Sequence, residues 1–416
     1  MFRSEEDSAP ISAISSSLRR GSHGAAVVVG HPSDLPSSRD STSDGRVREK
    51  LVASMDLRPT EEQQSLVEVL HDFAASEIRP AARACEEAGE VAGPIRSALV
   101  EMGVCTGVAE AFGGQGTFDT VTALMIAEEL AWGDPGVAYS VLAPGVVASV
   151  LQRAATPDQQ ADLLPALAAG GGAALALAER DAGGDIFRMD ATAETGRVQG
   201  IKYAVPEPGP AGTLLLVAHG PSIWRPAAGA VAVATAEDKL GLRSARTLKL
   251  VLDGVEAERI GTGITEVVAA LLAAKLVTAG IALGLARAAV EYAAAYARER
   301  SAFGRPIGAF QGISFMIADR ATDLEAARLL CWEAGCALGA ARQEADRLVM
   351  AACGQAVAAA LSASDDAVQV LGGHGYMRDH PVELWYRDAM TLATLDAPWL
   401  VGDLFLAGES QAAGLP

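Results

Sequence analysis

The sequence predicts a mainly helical α+β protein, with a small, mostly antiparallel β-region between two helical blocks. Three observations carry this. Apolar residues recur at helical spacing from Thr60 to about residue 170. Between about 172 and 260 the apolar runs shorten, with Gly and Pro between them. From Ile264 the pattern is helical again almost to the end. No strand–GxGxxG–helix unit occurs, which disfavours a Rossmann dinucleotide site.

In chain order, residues 1–54 are rich in Ser and Arg and have no sustained period. They read as a disordered tail or an upstream extension, with Met55 as a possible start. Thr60 can cap a first helix whose opening turn holds Glu61 and Glu62, where the dipole favours acids. Further helices are expected over 95–103, 117–132, 139–153 and 157–169, broken at 113–116 and at Asp134-Pro135-Gly136. Short apolar runs at 214–218 and 230–234, and the partial alternation at 248–252, read as strands. Apolar residues surround much of 267–290, as in a helix buried on several sides. The expected domains are 55–171, 172–262 and 263–416.

Composition narrows the function. Of 416 residues, 52 are acidic and 33 basic, a net charge of −19, which argues against nucleic acid and against docking on anionic membranes by charge alone. Half the residues are apolar and 20% charged, so the chain has a large core. The apolar stretches 264–295 and 348–363 are read as buried helices rather than membrane spans, the first being interrupted by Glu266, Lys275, Arg287 and Glu291 and the second containing Gln355. Cys85, Cys105, Cys331, Cys336 and Cys353 form no metal or disulfide framework. They read as buried free thiols of a reducing, cytoplasmic compartment.

Three segments carry chemistry. They are Arg300-Ser-Ala-Phe-Gly-Arg-Pro-Ile-Gly-Ala-Phe-Gln311, then Gln369-Val-Leu-Gly-Gly-His-Gly-Tyr376 followed by Trp385-Tyr-Arg-Asp388, and, more weakly, Ala178-Glu-Arg-Asp-Ala-Gly-Gly-Asp185. In the α–β–α order they resemble the FAD-dependent acyl-CoA dehydrogenase family over roughly 56–405. The resemblance implies an N-terminal helical domain, a middle β-domain and a C-terminal four-helix bundle. It also implies oxidation of an acyl-CoA, with electrons passed to an electron-transfer flavoprotein, in a homo- or hetero-oligomer.

Carried over residue by residue, Arg300 and Gln311 match positions that hold the FAD pyrophosphate across a subunit interface, a task suited to a planar, always-charged guanidinium. Phe303 matches a residue packed on the cofactor. Gln369, Gly372 and Gly373 match the loop that approaches its adenosine half, where glycine leaves room for backbone contact. His374 reads as a loop residue, and Tyr376 and Trp385 as packing. The family's base is a carboxylate shortly after Arg387-Asp388, a position that falls on Asp396, and the alternative position on an earlier helix falls on Ala274. Asp has about 1.5 Å less reach than Glu. One branch resembling the family, the nitroalkane oxidases, uses Asp as base, so a flavin oxidase is an alternative.

Flavin-ring positions depart from the family: Ala204 and Pro206 on the β-side, Pro398 and Leu400 after the base. Pro206 has no N–H to donate. Because the residues sent across the interface are kept while the ring positions are eroded, a non-catalytic or half-site subunit of a hetero-oligomer is a second alternative. Lys275, next to Ala274, is read as near the base or on the helix surface.

Overall fold

The computed structural model describes residues 58–180, 186, 188–209, 211–231, 233–261 and 263–395. Asp396, Pro398, Leu400, the 181–185 part of the third motif and the 1–54 segment lie outside the described residues.

Helices α1 (Glu61–Phe73), α2 (Arg79–Ala88), α3 (Gly93–Glu101), α4 (Thr120–Gly133), α5 (Pro135–Ala154) and α6 (Pro157–Ala168) come first. Both turns flanking α4 are set by acids. Asp119 accepts from the Val121 and Thr122 N–H groups, and Asp134 from that of Val137, so each caps a helix start. Asp134 followed by Pro135 starts α5 four residues earlier than the expected 139, because Pro is pre-organised for the first helical position.

Seven strands follow in one sheet: β1 (Ala173–Ala176), β2 (Thr192–Glu194), β3 (Arg197–Pro206), β4 (Thr213–Ala218), β5 (Ser222–Pro226), β6 (Val233–Ala236) and β7 (Thr247–Ile260). The path is β1-β4-β5-β7-β3-β2, with β6 also on β7. Only β1–β4 is parallel among these pairings. The β3–β7 register shifts between Lys202 and Val205, and inside that bulge Ala204 takes φ +52°. A non-glycine residue in this region is held there by its surroundings. The Ala204 N–H donates to Glu237 Oε2 at 3.0 Å and its carbonyl accepts from the Tyr139 hydroxyl at 3.2 Å.

The chain closes with α7 (Ile264–Glu299), a hairpin of β8 (Ser301–Ala302) and β9 (Arg305–Pro306), then α8 (Gln311–Gly339), α9 (Ala345–Leu371) and α10 (Val382–Leu395). The central helix, α7, packs against α4 closely enough that a Cβ at Gly284 would lie 2.2 Å from the Glu128 carbonyl oxygen and one at Gly280 2.8 Å from that of Leu124. Glycine at this i, i+4 pair is what permits the approach. Charges then lock the crossing: Arg287 on α7 bonds Glu129 at 2.6 Å, and Arg328 on α8 bonds Glu128 at 2.8 Å.

Among the described residues, three helical stretches, α5, α7 and Ala345–Tyr376, are long and apolar enough to cross a bilayer by length and composition. Contrary to the sequence reading, the charges in α7 do not interrupt it enough to exclude this. Its most apolar window is nevertheless 83% buried within the chain itself.

Lys275 is not a surface residue: it is 1% exposed, and among the described residues its Nζ has no hydrogen-bond partner. Its neighbours on this part of α7 are core residues, and no face of the helix there is open to solvent. Cys336 is exposed, unlike the other four thiols, because it sits on the outer side of α8 near its end. Tyr376 is 80% exposed rather than packed, since the short 3-10 turn Gly372–Tyr376 carries it outward from the helix ends. Trp385 does pack, edge-on to Tyr292 and 1% exposed.

Candidate active site

Two chambers meet where α5 and α7 cross. The larger, about 240 Å³, lies between the loop at 104–107, α4, α5 and α7. The smaller, about 60 Å³, is walled by Leu175 and Leu177, by Tyr203, Ala204 and Pro206 of β3, and by Thr278 and Ile281 of α7. They share Leu142 and Val146 of α5 and Ala274 and Val277 of α7. Pro144 and Gly145 lie in the same stretch of α5. A Cβ on Gly145 would come within 2.5 Å of the Cys105 carbonyl oxygen, so glycine is needed to seat the loop.

Among the described residues, neither chamber is lined by a carboxylate. Ala274 stands on the common wall with a methyl group, as the sequence implied. The nearest approach of the chain toward the expected base is Leu395, the last described residue of α10. It is 6% exposed and belongs to the large core shared by the helical regions.

The β-side wall is held by a buried pair. Lys202 Nζ lies 2.5 Å from Glu179 Oε1, and both side chains are almost fully buried. Glu179 also accepts from the Asp190 and Ala191 N–H groups, and Lys202 donates to the Leu177 carbonyl. Burial lowers the Lys202 pKa, against the pull of Glu179. A second joint ties the β-region to α10. The Leu242 N–H donates to Asp388 and the Gly241 N–H to Thr391, while Ser244 donates to Asp134. Asp388 is pushed well above the usual carboxylate range, by burial first and by Asp134 next, and Asp134 is raised chiefly by burial.

The sequence-predicted cofactor residues lie elsewhere. Arg300, Phe303 and Gln311 sit on and beside the β8–β9 hairpin at the far end of α7, and Gln369, Gly372 and Gly373 at the end of α9. The rings of Tyr296 and His374, 6.4 Å apart, bring these two groups to one surface. Phe303 is 96% exposed. Gly372 has φ +59°, and nothing lies within 4 Å of a Cβ built on Gly372 or Gly373. From Ile281, at the chamber wall, to Arg300 is 300 − 281 = 19 residues, about 28 Å of helix. The structure therefore brings these six sequence-predicted residues to one end of α7 and α9, away from the chain's own chamber.

The acyl-CoA dehydrogenase N-terminal domain model matches residues 60–171, and the C-terminal domain model residues 261–396. An acyl-CoA dehydrogenase of Bacillus subtilis (strain 168) is 34% identical over 366 residues, covering 79% of this chain and 93% of that protein. The chain belongs to the acyl-CoA dehydrogenase family. Acyl-CoA dehydrogenases are oxidoreductases of an FAD-dependent family. The butyryl-CoA dehydrogenase structure from Megasphaera elsdenii superposes with a TM-score of 0.73 at 26% identity, covering 85% of this chain and all 100% of that one. A chain in the electron transferring flavoprotein structure of Acidaminococcus fermentans does so with 0.74 at 27% identity, covering 85% and 99%.

The residues present suit a flavin dinucleotide in two parts. Arg300 and the open glycine turn offer a cation and unobstructed backbone to its phosphate and adenosine half. The apolar wall of Leu175, Leu177 and Tyr203 suits a flat ring, although Pro206 supplies no donor to it. Sequence reasoning missed the larger chamber and Glu237. The chamber had one legible signal, residues 142, 145, 146, 149, 152 and 153 at helical spacing on α5.

Proposed function

We propose that this chain oxidises an acyl-CoA thioester between its α- and β-carbons, with Asp396 as the base. The observation that carries this reading is the wall shared by the two chambers, apolar at Ala274 and without a carboxylate among the described residues. The reacting carbons lie at that wall, the acyl chain in the larger chamber. Asp396 directly follows Leu395, which is buried in the same helical core as α7. Bound FAD supplies the acceptor for the β-hydride. The apolar wall at Leu142, Val146, Ala274 and Val277 favours a carboxylate pKa nearer the working pH, which suits removal of a weakly acidic α-proton. Electrons pass on to an electron-transfer flavoprotein, a reading supported by the likeness to the Acidaminococcus chain. Arg300, Phe303, Gln311, Gln369, Gly372 and Gly373 serve the cofactor of a neighbouring subunit, in keeping with their separation from the chain's own chamber.

The test is Asp396→Asn. It should retain FAD while flavin bleaching by an acyl-CoA slows by about 10²- to 10⁴-fold. Bleaching at the wild-type rate would remove Asp396 from the mechanism.

One observation favours a second reading. The ring-side wall at Ala204 and Pro206 lacks polar side chains, while the surface carrying Arg300 and Gly372 is intact. A half-site subunit would retain little FAD alone and bind it with a homologous partner. A flavin-to-chain ratio near one for the isolated chain would refute that reading.

A further inference from the structure

The larger chamber is not apolar throughout. It runs along α5 from the shared wall at Val146 to Arg153, a span of 153 − 146 = 7 residues or about 10 Å of helix. Arg153 lines the cavity with Ser149 and Thr120. Its guanidinium makes two long hydrogen bonds there, to Ser149 Oγ at 3.4 Å and to Thr120 Oγ1 at 3.3 Å. Among the described residues no carboxylate pairs with it, and burial is what lowers its pKa. Arg287 and Arg328, by contrast, are each clamped by glutamates. A guanidinium carries five N–H donors, and two weak hydroxyl contacts leave most of them unused. The C-terminal end of α5 favours keeping this charge in place. A cation facing a cavity with no counter-ion of its own is suited to recognising a carboxylate that arrives with the ligand.

We propose that the preferred acyl-CoA carries a carboxylate at the far end of its acyl chain, bound by Arg153 with Ser149 and Thr120. This rests on the reading of the cleft as an acyl-CoA site and specifies the substrate class. The thioester end occupies the shared wall at Ala274, and the chain follows α5 to the guanidinium.

The experiment compares octanoyl-CoA with octanedioyl-CoA, and repeats the comparison at chain lengths from four to twelve carbons. Two readouts are used: calorimetric binding to the full chain, and bleaching of its flavin. At the best length the dicarboxylic thioester should bind at least about tenfold more tightly than its monocarboxylic counterpart. In Arg153→Gln that ratio should fall toward one, and Arg153→Lys should keep part of it. The wild-type comparison needs no variant to fold.

No preference at any length overturns the proposal. So does a loss in Arg153→Gln that is equal for both thioesters and for free coenzyme A, which would place the coenzyme's own phosphates on Arg153. A preference in binding without bleaching would leave the carboxylate site standing and sink the dehydrogenase reading. Bleaching without preference would do the reverse.

Discussion

The Lys202–Glu179 pair offers the sharpest test of how the ring-side wall is held. Lys202→Met removes the ammonium and leaves Glu179 charged, buried and without its cation. Breaking a buried pair in this way costs about 3–5 kcal/mol. Glu179 keeps two backbone donors, the Asp190 and Ala191 N–H groups, so the lower end, about 3 kcal/mol, is expected. Glu179→Gln leaves Lys202 with the Leu177 carbonyl and Met189 Sδ, and should cost a similar amount. The double variant removes both charges and should lose less than the sum by about 2–3 kcal/mol, within the range of coupling energies for contacting residues. Urea unfolding of all four proteins gives the cycle. Additive losses would refute the pairing. Because Lys202 lies at the bulge that presents Tyr203 and Ala204, the single variants should also retain less FAD.

Two further outcomes follow from buried charge. Asp388 and Asp134 hold their protons to higher pH in the folded state than in the unfolded chain, so stability should fall as pH rises from about 4 through their raised values. Asp388→Asn keeps an oxygen for the Leu242 N–H and carries no charge, so its stability should fall less over that window; unfolding curves parallel to the wild type across pH would contradict this. Lys275→Met replaces a fully buried amine, without a partner among the described residues, by an apolar side chain of similar length. It should raise the unfolding free energy by about 1–3 kcal/mol, and an unchanged or lower melting temperature would mean that Nζ serves a group outside the described residues.

The order of helices, strands and helices was legible because periodicity and glycine spacing are local properties. So was the apolar position at Ala274, because it is fixed by counting along α7 from Arg300 through Gly284. What was hidden depends on residues distant in sequence meeting in space. The Asp134–Asp388 joint brings α5 and α10 together through the 241–244 loop, and nothing in the Arg387-Asp388 motif shows that partner. Lys275 could be read as a surface lysine because its burial comes from neighbouring helices. The chamber beside Arg153 was hidden because the loop at 104–107 and the start of α4, distant in sequence, help to enclose it. Tyr376 was misread because an aromatic in a glycine-rich turn gives no sign of which way the turn projects.

The central claim is that the chain's own cleft oxidises acyl-CoA. It is tested most directly by the flavin absorbance of the purified chain on anaerobic addition of medium-length acyl-CoA thioesters, monocarboxylic and dicarboxylic. The account predicts bleaching by the chain alone, strongest with a dicarboxylic thioester. A chain that binds FAD one to one, binds the thioester, and shows no bleaching would contradict it.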